Sequence, residues 1–209
     1  LQGAIDAPGV QQVWVAVGNY DAPAGSFRMR SGVAIYGGFD PDNGITDLSH
    51  ARILANHGTA EGSVLNGNNE RRVVFNNLLG DNAILDGFTI ANGYTTERGG
   101  GIYNYSASPV LRNLLIINNK AEQSGGGIAN YESEPLVINA RITGNIAHDA
   151  AGIYSYNCGY TDFINVSVTD NHTTYVNSTI TSSVSYLNFT NLTLAGNIQG
   201  IQALYVAGG

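Results

Sequence analysis

The chain has 209 residues, a formal net charge of −7 and a sequence pI near 4.8. This acidity argues against nucleic acid and anionic membrane surfaces as partners, because both attract basic faces. The single cysteine, Cys158, excludes a disulfide framework, and the lack of a run of about 18 apolar residues argues against a membrane-spanning helix in this chain.

The first 82 residues are expected to form an irregular N-terminal cap and early coils, within one domain that covers residues 1–209. Residues 1–6 predict a short helix that ends near Pro8, because proline cannot continue a helix. A cap would cover the strand edges and apolar side chains at the end of a repeat fold. Short strands are predicted at 13–17, 33–36, 53–54, 64–66 and 71–75.

Three carboxylates lie close together in the loop after the second predicted strand. Asp40, Asp42 and Asp47 carry the oxygen ligands that calcium prefers. Their spacing departs from the EF-hand pattern, which requires a distal glutamate, and Asp, Asn, Pro and Gly are also ordinary turn residues. These three residues are therefore candidate calcium ligands with a simple turn as the alternative, and no other cofactor is expected.

From residue 83 onward the sequence repeats with a regular period of 26 residues. Apolar residues fall in fixed columns, such as Leu85, Leu111, Val137, Phe163 and Phe189, and Ile90, Ile116, Ile142, Val168 and Leu194. A period of this length over five rows indicates a repeat architecture. The columns are rich in β-branched and aromatic residues and alternate with period two, which favours strands over helices.

Two further columns contain only glycine and asparagine, the residues that best tolerate the left-handed backbone region. Each column is therefore expected to mark a fixed bend between strands. Asparagines in register can also hydrogen-bond to one another along the stack. The columns begin with Gly87 and Gly93 and continue with Asn113, Asn139, Asn165 and Asn191 in the first and with Asn119, Asn145, Asn171 and Asn197 in the second.

A third strand is predicted after a loop of variable length. Its signature is Gly-Gly-Gly-Ile-Tyr-Asn at 99–104 and Gly-Gly-Gly-Ile-Ala-Asn at 125–130. The isoleucines Ile102, Ile128, Ile153 and Ile180 follow one another at steps of 26, 25 and 27 residues. The loop length therefore varies while the strand register is restored, and the glycines are expected to allow close approach to the neighbouring coil.

The repeated Gly-Gly-Gly-Ile and the strand ending in asparagine resemble the repeat of chlamydial polymorphic outer membrane proteins. They also resemble the broader pectin-lyase-like β-helix proteins of bacterial surfaces. This resemblance implies an all-β fold, a single-stranded right-handed parallel β-helix with coils of about 26 residues, and right-handed crossovers are also the general preference. It does not imply one activity, because lyases, hydrolases, adhesins and passenger domains share this architecture.

An aromatic column follows the third strand on its outward side. Tyr105, Tyr131 and Tyr156 are spaced by about one coil, and Tyr103 and Tyr154 lie two residues before the first and the last of them. Stacked tyrosines can form an amphipathic surface with hydroxyls ready for hydrogen bonds, which suits glycan binding. The alternative is an aromatic stack that only stabilises the rod, as cross-strand pairs do.

A second outward set lies in the loop after the second bend. Arg98, Glu122, His148 and Asp149 could act as base and charge stabiliser on an acidic polysaccharide. This set resembles the sites of pectate lyases, which share the implied fold and use an arginine as base and aspartates to bind calcium. Their acidic calcium cluster is not found here, nor are the paired aspartates of β-helix glycosidases. Solvated loop charges are the alternative.

The leading functional expectation is a non-enzymatic structural or adhesive protein, extracellular or displayed on a bacterial cell surface. Its expected partners are other protein chains, through end-to-end assembly, or surface glycans. The alternative is a polysaccharide lyase or glycoside hydrolase that acts on an extracellular glycan.

Overall fold

The computed structural model describes residues 1–55, 62–175, 178–198 and 204–207 and is almost entirely β-structure. A short helix α1 (Gln2–Ile5) precedes the strands, and a 3-10 turn is formed by Pro41–Asn43. The strands in chain order are β1 (Gln12–Ala16), β2 (Gly18–Asp21), β3 (Ala34–Phe39), β4 (Ser63–Asn66), β5 (Val74–Asn77), β6 (Ile84–Asp86), β7 (Phe88–Ala91), β8 (Tyr94–Thr95), β9 (Ile102–Tyr105), β10 (Val110–Ile117), β11 (Lys120–Ser124), β12 (Ile128–Tyr131), β13 (Leu136–Thr143), β14 (Ile146–Asp149), β15 (Ile153–Tyr156), β16 (Tyr160–Thr169), β17 (His172–Thr173), β18 (Ile180–Ser183), β19 (Tyr186–Ala195) and β20 (Leu204–Ala207).

These strands form three parallel sheets that run along the molecule. The long sheet contains ten strands, with the path β1-β3-β6-β10-β13-β16-β19 and β2, β4 and β7 beside it. The short sheet has the order β17-β14-β11-β8, and the six-stranded sheet has the order β20-β18-β15-β12-β9-β5. The three coils from β10 to β18 each add one strand to every sheet, which confirms the predicted parallel β-solenoid.

The predicted columns meet in register. Leu111 opposes Val137, Val137 opposes Phe163 and Phe163 opposes Phe189 in neighbouring strands of the long sheet. In the six-stranded sheet, Ile102, Ile128, Ile153 and Ile180 pair in the same way despite their unequal steps. All of these residues except Phe189 are fully buried in one core, and each large apolar side chain contributes roughly 1.5–3 kcal/mol when buried.

The N-terminal part contains the predicted helix and one unpredicted excursion. Helix α1 buries Ile5 in the core, and the Gln2 side chain bonds to the backbone N–H and C=O of Arg28. Ile35 of β3 pairs directly with Leu85 of β6, 50 positions later. The described residues 40–55 therefore lie outside the strand stack, as an excursion between β3 and β4. The strand predicted at 53–54 is wrong, because these residues belong to this excursion.

A buried carboxylate fixes the excursion to the long sheet. Asp86 is 2% exposed and forms ion pairs with Arg52 at 3.0 Å and with Arg112 at 2.8 Å. The Asn113 amide also donates to Asp86 at 2.7 Å, and Arg52 further donates to the Gly37 carbonyl at 2.9 Å. Two cations and an amide thus compensate the burial of one charge.

We expect Asp86→Ala to lower the free energy of unfolding by about 3 kcal/mol, since it leaves the part-buried Arg52 without its counter-ion. Chemical denaturation measures the change. Asp162→Ala is the matched control, because Asp162 is an exposed carboxylate that accepts one hydrogen bond from Asn188. Equal losses of unfolding free energy in the two variants would contradict a stabilising role for the ion pairs of Asp86.

Candidate functional site

The five predicted tyrosines lie on the outer side of the six-stranded sheet, a surface we call the tyrosine face (Tyr103, Tyr105, Tyr131, Tyr154 and Tyr156). Strands β9, β12 and β15 turn Ile and Asn or Ser inward, so the alternating residues point outward. Tyr105 opposes Tyr131, and Tyr131 opposes Tyr156. The sequence thus aligns three phenol rings in one outward column.

The rings of this column stack on one another. The ring centroids of Tyr105 and Tyr131 are 5.4 Å apart at an interplanar angle of 17°, and those of Tyr131 and Tyr156 are 5.2 Å apart at 23°. The ring faces are thereby directed at neighbouring rings, so the column presents mainly ring edges and hydroxyls to solvent. Within the described part of the chain, none of these three hydroxyls has a hydrogen-bond partner.

The second column of the tyrosine face is interrupted and filled by arginine. Tyr103 and Tyr154 flank Ala129, which is fully buried although its position faces outward. The Arg98 guanidinium lies 5.7 Å from the Tyr154 ring, and Arg72 lies 5.0 Å from the Tyr103 ring. Cation–π contacts of this kind favour ordered arginines. The small side chain of Ala129 lies in the coil between those that carry Arg98 and Tyr154.

Burial shifts the pKa values of the tyrosines and of Arg72 in this column. It raises the pKa of both Tyr103 and Tyr154, although the nearby Arg98 acts in the opposite direction. Both phenols are therefore neutral hydrogen-bonding groups at neutral pH. Burial also lowers the pKa of Arg72, with Glu97 opposing the shift. A polar cleft of about 240 Å³ adjoins this column and is lined by Glu97, Arg98, Tyr103 and Gln123.

The four residues of the enzyme hypothesis have different surroundings. Beside burial, which raises the pKa of the Tyr154 phenol most, the charge of Arg98 lowers this pKa and the charge of Asp149 raises it. Glu122 instead bonds to Lys120 at 2.8 Å and to the Tyr94 hydroxyl at 3.3 Å, and these bonds lower its pKa. The His148 ring stacks on Tyr175 with centroids 4.6 Å apart. Arg98 and Asp149 thus both influence Tyr154, whereas Glu122 contacts Lys120 and Tyr94 of the short sheet, and His148 contacts Tyr175, which lies outside the sheets.

The strand register shifts within this loop. It changes by one residue between β11 and β14, so that Asp149 pairs with Ser124. The one-residue shortening of this coil, visible as the step of 25 between Ile128 and Ile153, is located at this shift.

Two of the three candidate calcium ligands, Asp40 and Asp47, are engaged in turn hydrogen bonds, and Asp42 lies in the 3-10 turn. Asp40 accepts a hydrogen bond from Asn43 at 2.7 Å, and Asp47 bonds to Ser49 and His50. Ser49 is the largest cause of the lowered pKa of Asp47. Among the residues that the structure describes, no group of three or more His, Cys, Asp or Glu side chains could hold a metal ion.

The two predicted asparagine columns form different ladders. In the first, each amide donates to the preceding coil: Asn139 to Asn113, Asn165 to Asn139 and Asn191 to Asn165. This ladder is mostly solvent-exposed and begins at Asp86. In the second, the amides of Asn119, Asn145 and Asn171 donate forward, ending at Asn197, and the first three residues are fully buried.

A bend lies at both columns as predicted, but the left-handed backbone expected of each column belongs to the column residues only in the first. Asn113, Asn139, Asn165 and Asn191 have φ between 52° and 59°. In the second column the left-handed residue is the preceding one, namely Asn92, Asn118, Gly144, Asp170 or Gly196. The asparagine after it turns its side chain inward, where it bonds to backbone groups of the adjacent coils.

A third asparagine ladder was not predicted. Asn76 donates to Asn104, Asn104 to Asn130 and Asn130 to the Ser155 hydroxyl, all inside the core behind the tyrosine face. The recurring asparagine at the end of each Gly-Gly-Gly-Ile strand was the available signal. This buried ladder anchors the strands that carry the tyrosines.

Comparisons with protein-family models, with curated proteins and with solved structures give no match for this chain. No helix among the described residues is long and apolar enough to cross a membrane.

Proposed function

We propose that this chain is an extracellular or cell-surface adhesive β-solenoid, without catalytic activity, that binds glycans through the tyrosine face. The observation that carries the proposal is the row formed by Tyr105, Tyr131 and Tyr156, whose hydroxyls are aligned from coil to coil and lack protein partners within the described residues. Each hydroxyl can donate one hydrogen bond and accept others, as sugar hydroxyls do.

The rigidity of the row supports binding. The rings are held by stacking and by strands whose inward side is fixed by a buried asparagine ladder. Little conformational entropy is therefore lost when a ligand bonds to the hydroxyls. Because neighbouring coils are about 4.8 Å apart, the row suits a linear ligand that repeats similar polar groups along its length.

The stacking also defines the mode of contact. Since the ring faces are directed at neighbouring rings, a saccharide would meet ring edges and hydroxyls, not an open aromatic platform. The adjacent polar cleft with Arg98 and Gln123 offers further donors beside the row. Hydrogen bonds, more than sugar–ring stacking, would then supply the specificity.

The test is a glycan array followed by calorimetry on the best ligand, with the wild-type chain and Tyr131→Phe. The substitution keeps the stacked ring and removes one hydroxyl, so we expect about a fivefold weaker affinity, as one neutral hydrogen bond contributes about 1 kcal/mol. Tyr186→Phe is the matched control, because Tyr186 is also a stacked, exposed tyrosine, but on the long sheet.

Absence of glycan binding, or equal affinity of wild type and Tyr131→Phe, would contradict the proposal. Shortening of a polysaccharide by the wild-type chain would instead favour the lyase or hydrolase alternative.

A further inference from the structure

A second tyrosine pair lies on the long sheet, away from the tyrosine face. Tyr160 begins β16 and Tyr186 begins β19, and the two residues oppose each other in register. Their ring centroids are 5.1 Å apart at an interplanar angle of 20°. The exposed fractions are 68% for Tyr160 and 55% for Tyr186, so both rings are open to reagents in solution.

The strands that carry this pair hold it in place. Strands β16 and β19 stay in register from Tyr160 and Tyr186 to Thr169 and Ala195. Two residues beyond the tyrosines, the Asn188 amide donates to the Asp162 carboxylate at 3.0 Å. Within the described residues, neither phenol hydroxyl has a hydrogen-bond partner. The rings are thus fixed next to each other by their backbones, while their hydroxyls and outer edges remain free.

The stacked rings of the tyrosine face are less accessible. Tyr105 is 40% exposed, and Tyr131 and Tyr156 are partly buried. A one-electron oxidant that attacks exposed phenols therefore reaches Tyr160 and Tyr186 before the tyrosine face. Tyr175 is also 56% exposed, but its ring stacks on His148 and not on a second tyrosine. Two phenoxyl radicals that are formed there meet at a high effective concentration, because folding has already brought the rings together.

We propose that Tyr160 and Tyr186 form a site of oxidative cross-linking that joins two successive coils through a dityrosine bond. A peroxidase with hydrogen peroxide removes one hydrogen atom from each phenol hydroxyl. The two radicals couple through the ring carbons adjacent to the oxygens, and the hydrogen on each of these carbons moves to its phenol oxygen as the rings regain aromaticity. One hydrogen peroxide is reduced to two water molecules for each carbon–carbon bond formed.

The cross-link would join two neighbouring coils covalently, which the single cysteine of the chain cannot do. Cys158 is buried, and it is the only cysteine in the chain, so no intramolecular disulfide can tie one coil to the next. A bond between Tyr160 and Tyr186 would close a covalent loop around one coil, next to β19, the last strand of the long sheet. It would oppose separation of β19 from β16.

The experiment treats the folded wild-type chain with a haem peroxidase and hydrogen peroxide at low protein concentration. The expected result is dityrosine fluorescence, a monomer that has lost two hydrogen atoms, and a cross-linked peptide pair containing Tyr160 and Tyr186. Tyr186→Phe keeps the aromatic stack and should lose the fluorescence and the peptide pair. Tyr131→Phe, the matched control on the tyrosine face, should retain both.

Circular dichroism before treatment verifies that each variant is folded. A cross-link that maps to Tyr105, Tyr131 or Tyr156, a link that joins two chains, or no link at all would overturn the proposal. None of these results depends on whether the chain binds glycans.

Discussion

Replacing Asn145 by alanine should lower the free energy of unfolding by about 4 kcal/mol, measured by chemical denaturation, because several buried polar groups would lose their partners at once. The Asn145 carboxamide oxygen accepts from the backbone N–H of Asn119 at 2.9 Å and from its side chain at 3.0 Å. Its nitrogen donates to the Ile116 carbonyl at 3.0 Å and to Asn171 at 2.9 Å. Asn145 is 0% exposed, so water cannot replace these bonds.

Asn139→Ala is the matched control, since Asn139 belongs to the same coil and to the other asparagine ladder. Its amide donates to Asn113 at 3.3 Å and accepts from Asn165 at 3.0 Å, but the side chain is exposed and water can take over both bonds. Its backbone has φ of 52°, so alanine carries the cost of the left-handed region, about 1 kcal/mol. A loss at Asn139 as large as that at Asn145 would contradict the distinction between the two ladders.

Replacing Gly126 by alanine should destabilise the fold by about 3 kcal/mol, because the added methyl group has no room. Its carbon would lie 2.5 Å from the Ile146 carbonyl oxygen and 2.8 Å from the Ala151 carbonyl oxygen. Both are backbone atoms in the neighbouring coil, which cannot move away without separating the strands. Thermal unfolding or urea denaturation gives the change directly.

Gly80→Ala serves as the control for Gly126. An alanine carbon at position 80 would have the Asn82 side-chain oxygen as its nearest neighbour, at an ordinary 3.6 Å, and the backbone there is not left-handed. We expect a change within about 0.5 kcal/mol at this surface position. If Gly126→Ala changes the stability as little as Gly80→Ala does, the result would contradict the close approach of successive coils at the glycine-rich loop.

The regular coils were predictable because each column repeats the same physical requirement. Leu111, Val137 and Phe163 share a core position, and Ile102, Ile128 and Ile153 regain their register after loops of different length. Strand pairing in a solenoid places equivalent residues side by side, so the period alone specified the neighbours.

The details of the bends and loops were not predictable in the same way. Asn118 and Asn119 are neighbours of the same type, and only the structure shows that the first is left-handed and the second turns inward. The excursion between β3 and β4 has no repeat to guide its placement. It is attached through the ion pair between Arg52 and Asp86, which the sequence pattern does not predict.

The tyrosine face was only partly predictable. The spacing of Tyr105, Tyr131 and Tyr156 indicated one column, but the period does not determine whether rings present faces or edges to solvent. The contact of Arg98 with the Tyr154 ring spans the coil that contains Ala129. Such contacts across two coils are set by side-chain packing and not by the repeat.

The stacking of successive coils in register is tested most directly by disulfide trapping. In a Cys158→Ser background, Arg141→Cys with Ser167→Cys places thiols on directly opposed residues of neighbouring strands. Adjacent strands are about 4.8 Å apart, within the about 4.4–6.8 Å between Cα atoms that a disulfide spans. Arg141→Cys with Thr193→Cys is the control, because Ser167 lies between these two positions and two strand spacings exceed that reach.

After mild oxidation, mass spectrometry should show an intramolecular disulfide in the 141–167 variant and free thiols in the 141–193 variant. A disulfide between positions 141 and 193, or none between 141 and 167 in the folded protein, would contradict the stacked-coil architecture.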